Sequence, residues 1–258
     1  MKDMVTAQQC LEIIADLAEL LPRILRPKLP AVPGLDLEDF DFYLGPQRTR
    51  WDPVFTGGGI VSLLITDPAA PPPSLTKDVD LVLEIHHWLE FVGMEGALRK
   101  AGFTQNNLNT GLIVAWDWKG VRVDFLPHQP VPQMEVTNRW FPILLQEAQR
   151  VEATRGKFVW IASAPCFLAT KFEAFHSRGK GDYAASKDIE DILAVVDGRP
   201  ELLSELQYAD SNVIGFLSQC CRNLLNDSRF MESLPYLLAE QERESIALNR
   251  LKMIVEIN

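Results

Sequence analysis

Apolar residues recur at helical spacing near the start of the chain. Leucine and isoleucine follow this spacing over residues 6–25, and the pattern predicts an amphipathic helix. Residues 26–34 contain three prolines and one glycine, which is typical of a linker. Residues 36–50 are acidic and then aromatic, and they carry no clear period. We therefore predict that residues 1–50 form a helix and a linker that pack on the rest of the protein.

From residue 51 onward, short apolar runs alternate with stretches of helical periodicity. Strands are predicted where apolar residues run together or alternate with polar ones, and helices where they recur every three or four positions. The predicted elements are a strand at 54–56, a glycine turn at 57–59, a short helix at 60–65, strands at 79–85, 111–116 and 121–126, a hairpin turn at 117–120, and a helix at 86–101. This order predicts an α/β (α+β) core, with a small mixed β-sheet and flanking helices, over residues 51–128.

The remaining residues, 129–258, are predicted to form a mainly helical C-terminal region. The pattern predicts one more strand at 157–161 and helices near 164–177, 187–197, 200–208, 211–225 and 228–254. Gly198 and Pro200 mark the end of the second helix, because glycine and then proline are typical just beyond a helix. We expect this region to complete a cleft with the core.

Composition and charge narrow the class of protein. The chain is 47% hydrophobic and 23% charged, as in ordinary globular proteins. No apolar run approaches the roughly 20 residues that span a bilayer, so we expect no membrane partner. The net charge of −10 repels nucleic acid on average, so an RNA or nucleotide site needs a local basic patch or a bridging cation. The four cysteines lack disulfide or metal spacing, which favours the reducing cytoplasm, and we expect Cys220 and Cys221 to be buried thiols.

Three carboxylates occupy strand positions that suit a metal site. Asp78 and Asp80 are separated by one residue, so on an extended strand they project from the same face. Asp124 lies in a second segment with the same apolar alternation. Carboxylates held this close repel one another unless a cation lies among them, and Mg²⁺ (or Mn²⁺) is a hard ion that prefers oxygen ligands. We therefore predict that Asp78, Asp80 and Asp124 are the catalytic residues and the metal ligands.

Three glycines stand between the first strand and the short helix. Gly57, Gly58 and Gly59 would let the backbone approach a triphosphate closely, and the helix that follows would direct backbone N–H groups towards it. No Gly-Lys-Ser/Thr follows these glycines, so this is not a P-loop. Lys77, just before the paired aspartates, is a further candidate for contact with the nucleotide.

This order of motifs resembles the nucleotidyltransferase superfamily related to DNA polymerase beta. The resemblance covers residues 51–128 and rests on Gly57-Gly58, Asp78-Val79-Asp80 and Asp124. It implies that an NTP is the substrate, that Asp78 and Asp80 hold two metal ions, and that Asp124 holds the catalytic one. Many members carry Ser or Thr after the paired glycines, where this chain has Gly59.

The C-terminal half adds a narrower resemblance. Residues 168–199 resemble the AbiEii-like nucleotidyltransferases, several of which are toxins of toxin–antitoxin systems. The matching and neighbouring positions that this resemblance assigns to the nucleotide site are Lys171, Arg178, Lys180, Lys187, Asp188 and Asp191. Lys171 and Arg178 are expected to reach outward together from one helix, and the two aspartates to orient these bases or contact sugar hydroxyls. A plain helical ion pair between Lys187 and Asp191 is the alternative.

The expected reaction is transfer of a nucleoside monophosphate from an NTP to a hydroxyl or phosphate acceptor. The acceptor stays open between RNA such as tRNA, a protein and a small molecule, and an antitoxin protein is a further possible partner. One alternative is a small-molecule enzyme of the antibiotic-modifying kind. The other is a domain that has lost catalysis and binds a partner protein, which the missing Ser or Thr at Gly59 favours.

Overall fold

The computed structural model describes residues 6–26, 47–106, 114–134, 138–179 and 181–257. Within these residues the protein has a seven-stranded mixed sheet with helices packed around it, so the predicted α/β class is confirmed. The strands are β1 (Val54–Thr56), β2 (Asp78–Leu83), β3 (Thr104–Gln105), β4 (Ala115–Trp118), β5 (Val121–Pro127), β6 (Gln149–Thr154) and β7 (Lys157–Ile161). Their order across the sheet is β3-β4-β5-β2-β1-β7-β6.

Strand β2 lies at the centre of the sheet between β5 and β1. It runs parallel to β5, with Asp80 opposite Asp124, and antiparallel to β1, with Asp80 opposite Thr56. Residues opposite one another in adjacent strands place their side chains on the same face. Val79 and Leu81 point to the other face and are fully buried, as expected of alternation along a central strand.

The helices surround this sheet and form most of the C-terminal half. They are α1 (Ala7–Leu25), α2 (Val61–Leu64), α3 (Trp88–Lys100), α4 (Phe141–Gln146), α5 (Ala164–Arg178), α6 (Lys187–Gly198), α7 (Leu202–Leu206), α8 (Ser211–Asn226), α9 (Ser228–Leu237) and α10 (Glu244–Glu256), with 3₁₀ turns at Gly58–Ile60 and Gln241–Arg243. Helix α1 packs on β6 and β7, and α5, α6, α8 and α10 pack together.

The N-terminal helix follows the prediction closely. Thr6 caps it, since its hydroxyl accepts a hydrogen bond from the backbone N–H of Gln9, while the Gln9 side chain accepts one from Thr6. Ile14, Leu17 and Leu21 lie on the buried face and are fully inaccessible to solvent. Burial of this stripe holds α1 against the sheet. The predicted linker lies almost wholly outside the described residues, as does most of 36–50.

Strand β6 was not predicted, and it pairs with β7 to carry the sheet beyond residue 128. Its residues are mostly half-buried or exposed, so the sequence lacks the apolar run that marks a central strand. The hairpin turn is shorter than expected: Asp117 and Trp118 belong to β4, and Lys119 and Gly120 turn the chain with φ values of 48° and 80°. Residues 111–113 of the predicted strand lie outside the described part.

The single helix predicted at 228–254 is wrong, because α9 and α10 are separate helices. The backbone is extended at Leu238 and at Glu240, which ends α9. Arg243 then turns inward, where Nε donates to Oδ2 of Asp197 at 2.7 Å and Nη2 donates to Oδ2 of Asp67 at 2.6 Å. Residues 240–245 contain no apolar residue, and this gap in the helical periodicity is the local sign of the break.

The state of the cysteines and the character of the helices bear on two expectations from composition. All four cysteines are buried free thiols, including Cys220 and Cys221 as predicted. Among the described residues, no helix combines the length and the apolar character needed to cross a membrane.

Loss of Arg243 should destabilise the packing of the C-terminal helices. Asp197 is only 3% exposed, and Arg243→Met leaves its carboxylate buried without this partner. We expect a loss of about 3–5 kcal/mol in the free energy of unfolding, measured by urea denaturation. The control is Arg222→Met on the exposed side of α8, for which we expect a change below about 0.5 kcal/mol. Equal effects of the two variants would contradict the role given to Arg243.

Candidate active site

Three aspartates meet on one face of the central strands. Asp78 and Asp80 alternate with buried apolar residues on β2, and the β2–β5 register sets Asp124 beside Asp80. Asp124 is 6% exposed, whereas the other two are half-buried. The structure thus brings together the three carboxylates that the sequence singled out.

Arg122 is a fourth charged residue on this face, and the sequence reasoning missed it. It lies two positions before Asp124 on β5 and opposite Asp78 in the neighbouring strand. Its guanidinium holds the Asp124 carboxylate through two hydrogen bonds, from Nε to Oδ1 at 2.7 Å and from Nη2 to Oδ2 at 2.5 Å. Such a two-pronged pair is among the stronger charge-assisted contacts in proteins. The same alternation that paired Asp78 with Asp80 pairs these two residues, which is the signal that could have revealed Arg122.

Desolvation and mutual repulsion act together on Asp80. The loss of water around its carboxyl group raises its pKa well above the usual value, and the charges of Asp78 and Asp124 raise it further. The pKa of Asp124 is also raised, because its burial outweighs the opposing hydrogen bond from Arg122. The face therefore carries more negative charge than its own cations offset, as a site for an added cation would.

The fit of these residues to a divalent cation is partial as they stand. Within the described ranges, no three side chains of His, Cys, Asp or Glu are grouped closely enough to hold a metal ion. Arg122 engages both oxygens of Asp124, whereas among the described residues neither Asp78 nor Asp80 forms an ion pair. Mg²⁺ commonly uses one or two carboxylates together with substrate phosphates. Asp78 and Asp80 meet that need, and Asp124 can join them only after it leaves Arg122.

Hydroxyl groups of two threonines lie beside these carboxylates. Thr76 donates from Oγ1 to Oδ1 of Asp78 at 3.3 Å and to its backbone oxygen at 3.1 Å. The Thr56 hydroxyl is buried opposite Asp80 and has no hydrogen-bond partner among the described residues. Buried hydroxyls are normally paired, so the Thr56 hydroxyl is a candidate hydrogen-bonding group for a ligand of the acidic face.

The glycine turn lies directly against Asp80. Gly57 has a φ of 71°, and a Cβ atom built there would lie 1.9 Å from Oδ2 of Asp80. A Cβ on Gly58 would lie 3.2 Å from the Thr76 hydroxyl and 3.5 Å from Oδ2 of Asp191. The turn therefore joins the acidic strand to helix α6. Position 57 requires glycine for two reasons: its φ is positive, and a side chain there would clash with Asp80.

The third glycine packs against the N-terminal helix instead of the cleft. A Cβ on Gly59 would lie 3.0 Å from Sγ of Cys10, whose thiol also donates to the Gly59 carbonyl at 3.6 Å. A Ser or Thr here would crowd helix α1. The helix after the turn, α2, is a single turn long, so its dipole contributes little to the binding of an anion.

Helices α5 and α6 are joined by a buried cluster of charges. Lys171 is 8% exposed, and its Nζ lies 2.7 Å from Oδ2 of Asp191 and 3.3 Å from Oδ1 of Asp188. The expectation that Lys171 reaches outward is therefore wrong, because two carboxylates of the next helix draw it inward. The charge of Lys171 still acts on Asp80. It lowers the pKa of that carboxyl group, but by less than burial and the two neighbouring aspartates raise it.

The other predicted bases are more exposed. Arg178 holds Asp188 with Nε and Nη2 at 3.0 and 2.9 Å, yet 69% of its side chain is exposed. Lys187 contacts Oδ1 of Asp191 at 2.8 Å and also bonds to the hydroxyl of Ser74. Asp188 thus holds the side chain of Arg178, as predicted. The alternative helical ion pair, between Lys187 and Asp191, is also present.

Two predicted lysines, Lys77 and Lys180, remain. Lys77 is exposed, just before the strand that carries Asp78. Lys180 lies outside the described residues.

Comparisons with known proteins find solved structures of low sequence identity to this chain. No family model matches the chain, and no curated protein matches it. A crystal structure from H. pylori, described as a "putative nucleotidyltransferase", is 10% identical with a TM-score of 0.37, over 79% of this chain and 86% of that chain. JHP933 from Helicobacter pylori is 12% identical with a TM-score of 0.38, over 94% and 92% of the two chains. Similarity this low carries no functional conclusion, so the chemistry of the site rests on its own geometry.

A side chain at the glycine turn should disrupt the site. Gly57→Ala combines an unfavourable φ with a clash against Asp80, and we expect it to lower the free energy of unfolding by about 1–3 kcal/mol. The matched control is Gly96→Ala on helix α3, where no atom lies within 4 Å of an added Cβ. That variant should be neutral or more stable by up to about 1 kcal/mol. Chemical denaturation of both proteins measures the difference, and a Gly57→Ala protein as stable as the wild type would contradict the close approach.

Removal of the charge of Asp80 should stabilise the protein at neutral pH. Its folded-state pKa is raised, so its contribution to stability is present below pH 3.8 and is lost as the pH rises through the folded-state value. We expect Asp80→Asn to be more stable than the wild type at pH 7, by about 0.5–2 kcal/mol, and to lose this advantage in acid.

The control for this prediction is Asp16→Asn on α1. Lys119 and then Lys157 lower the pKa of Asp16 through hydrogen bonds, so its contribution is present above pH 3.8 and is lost as the pH falls. This variant should be the less stable one at pH 7. Denaturation curves recorded from pH 3 to pH 8 would contradict the assignment if both variants shifted in the same direction.

Proposed function

We propose that this protein is a metal-dependent nucleotidyltransferase that moves a nucleoside monophosphate from an NTP to a hydroxyl or phosphate acceptor. The observation that supports this most is the shared face of Asp78, Asp80 and Asp124, with the backbone of Gly57 packed against Asp80. A raised pKa at Asp80 and an unpaired hydroxyl at Thr56 are further signs of a site that is completed by a ligand.

The residues that would hold the metal are those of the acidic face. Asp78 and Asp80 supply carboxylate oxygens, and Asp124 adds its own once it is released from Arg122. A divalent cation bound there would offset phosphate charge and favour deprotonation of an attacking hydroxyl. Mg²⁺ or Mn²⁺ suits this set, because carboxylates are hard oxygen ligands.

The cationic side chains have distinct roles in this proposal. Arg122, when it leaves Asp124, becomes a free guanidinium on the reacting face and can bind a phosphate in a two-pronged manner. Arg178 is exposed and can contact the outer phosphates of the NTP. Lys171 is buried, so its role is to hold α6, and with it Asp191, against the glycine turn.

The reaction itself requires one proton acceptor. The acceptor oxygen forms a bond to the α-phosphorus, the bond from that phosphorus to the bridging oxygen breaks, and pyrophosphate leaves. Asp124 can take the proton from the acceptor hydroxyl, since its carboxylate shares the reacting face with Asp78 and Asp80. The acceptor remains open among RNA, a protein and a small molecule, and an antitoxin partner rests only on the resemblance of residues 168–199.

A second candidate function is a domain that has lost catalysis and binds a partner protein. The observation that favours it is the Arg122–Asp124 pair, which removes one carboxylate from the metal site. The close approach of Gly59 to Cys10 weakens the argument from the missing Ser or Thr, because a larger side chain there would press on helix α1.

A labelling experiment distinguishes the two functions. The purified protein is incubated with each of four α-³²P NTPs and Mg²⁺, with total tRNA, lysate protein or a panel of small hydroxylated molecules. We expect labelled product from the wild type and the Asp16→Asn control, and at least about a hundredfold less from Asp78→Asn, because metal-bound charge supplies several kcal/mol of transition-state stabilisation.

Nucleotide binding provides the second measurement. Calorimetry with a non-hydrolysable NTP and Mg²⁺ should give binding by the wild type and weaker binding by Asp78→Asn. Equal labelling by wild type and Asp78→Asn would overturn the catalytic assignment. Absence of both labelling and Mg²⁺-dependent binding would favour the partner-binding domain.

A further inference from the structure

A cavity of about 470 Å³ lies apart from the three aspartates. One wall is the proline-rich segment 71–74, a second is formed by residues 184–187 and the side of α6 that carries Glu190 and Ala194, and a third is residues 236–239 at the end of α9. Cavities of roughly 300–1,000 Å³ are typical of sites for small organic molecules. Its size and its three separate walls make it a candidate binding site that the acidic face does not explain.

A buried carboxylate lies in the lining of this cavity. Asp197 is 3% exposed, and its Oδ2 accepts a hydrogen bond from Nε of Arg243 at 2.7 Å. Its Oδ1 has no hydrogen-bond partner among the residues that the structure describes, although Asp197 lines the cavity. A buried acceptor without a donor is costly, so a donor bound in the cavity would relieve that cost.

The remaining lining selects the type of donor. Glu190 adds a second carboxylate, and it shares the positive charge of Lys187 with Asp191, since Lys187 lies 3.4 Å from Glu190 and 2.8 Å from Asp191. Leu193, Ala194 and the three prolines supply apolar surface. Acidic groups beside apolar walls match a ligand with a cationic head and an apolar body.

We propose that this cavity binds a small organic ammonium compound, with its ammonium group donating to Asp197 and Glu190 and its apolar part against Leu193 and the prolines. The inference rests on the cavity and its lining, and it holds whether or not the protein transfers nucleotides. The cavity is also close to the candidate active site, because Lys187 lines it and pairs with Asp191, which lies against Gly58.

The test uses three probes that share one apolar body. These are 2-phenylethylamine, 2-phenylethanol and phenylacetate, which differ in the charge of the head group. Binding to the full chain is followed by saturation-transfer NMR titration. We expect the amine to bind about tenfold more tightly than the alcohol, since a charge-assisted hydrogen bond is roughly twice as strong as a neutral one, and we expect no binding of the carboxylate.

Variants then locate the bound probe. Ala194→Leu fills part of the cavity and Glu190→Gln removes a charge, and each should weaken binding of the amine at least about fivefold. Glu256→Gln, exposed on α10, is the matched control and should bind as the wild type does.

Two outcomes would overturn the proposal. The first is equal binding of the three probes, which would remove the preference for a cation. The second is amine binding that is unchanged in both Ala194→Leu and Glu190→Gln, which would put the probe elsewhere on the protein.

Discussion

Repulsion among the carboxylates of β2 and β5 is the constraint on which the candidate site depends. The register sets Asp80 beside Asp124, and alternation sets Asp78 on the same face. Arg122 and the more distant Lys171 offset part of this charge, yet desolvation keeps the pKa of Asp80 raised. A protein gains no stability from such a face, and functional sites are where unfavourable arrangements of this kind persist.

Helix α6 connects this face to the rest of the molecule. Near its start, Asp188 and Asp191 point to Lys171 of α5, and Asp191 also reaches the glycine turn. Near its end, Asp197 pairs with Arg243, which follows the break between α9 and α10. Buried ion pairs add little net stability, but loss of one partner is costly, so these contacts specify where α6 lies. Asp191 of α6 thereby lies beside the glycine turn that packs on Asp80.

The glycine turn shows how packing on two sides limits a short segment. Gly57 approaches Asp80 on one side, and Gly59 approaches Cys10 of α1 on the other. A larger side chain at Gly59 would press on the Cys10 sulfur. Thr56 and Thr76 place hydroxyls on the acidic side, and that of Thr56 has no partner within the described residues.

The sequence by itself determined the elements whose patterns are local. The buried stripe of α1, the alternation around Asp78 and Asp80, and the glycine turn all follow from spacing along the chain, because period and side-chain direction are properties of a single helix or strand. Only the tertiary structure decided the burial of Lys171 against Asp188 and Asp191, and the pairing of Arg243 with Asp197. Each of these depends on a charged group from a distant segment, and the energy of that contact outweighs the local preference for exposure, so no pattern within one segment could have revealed it.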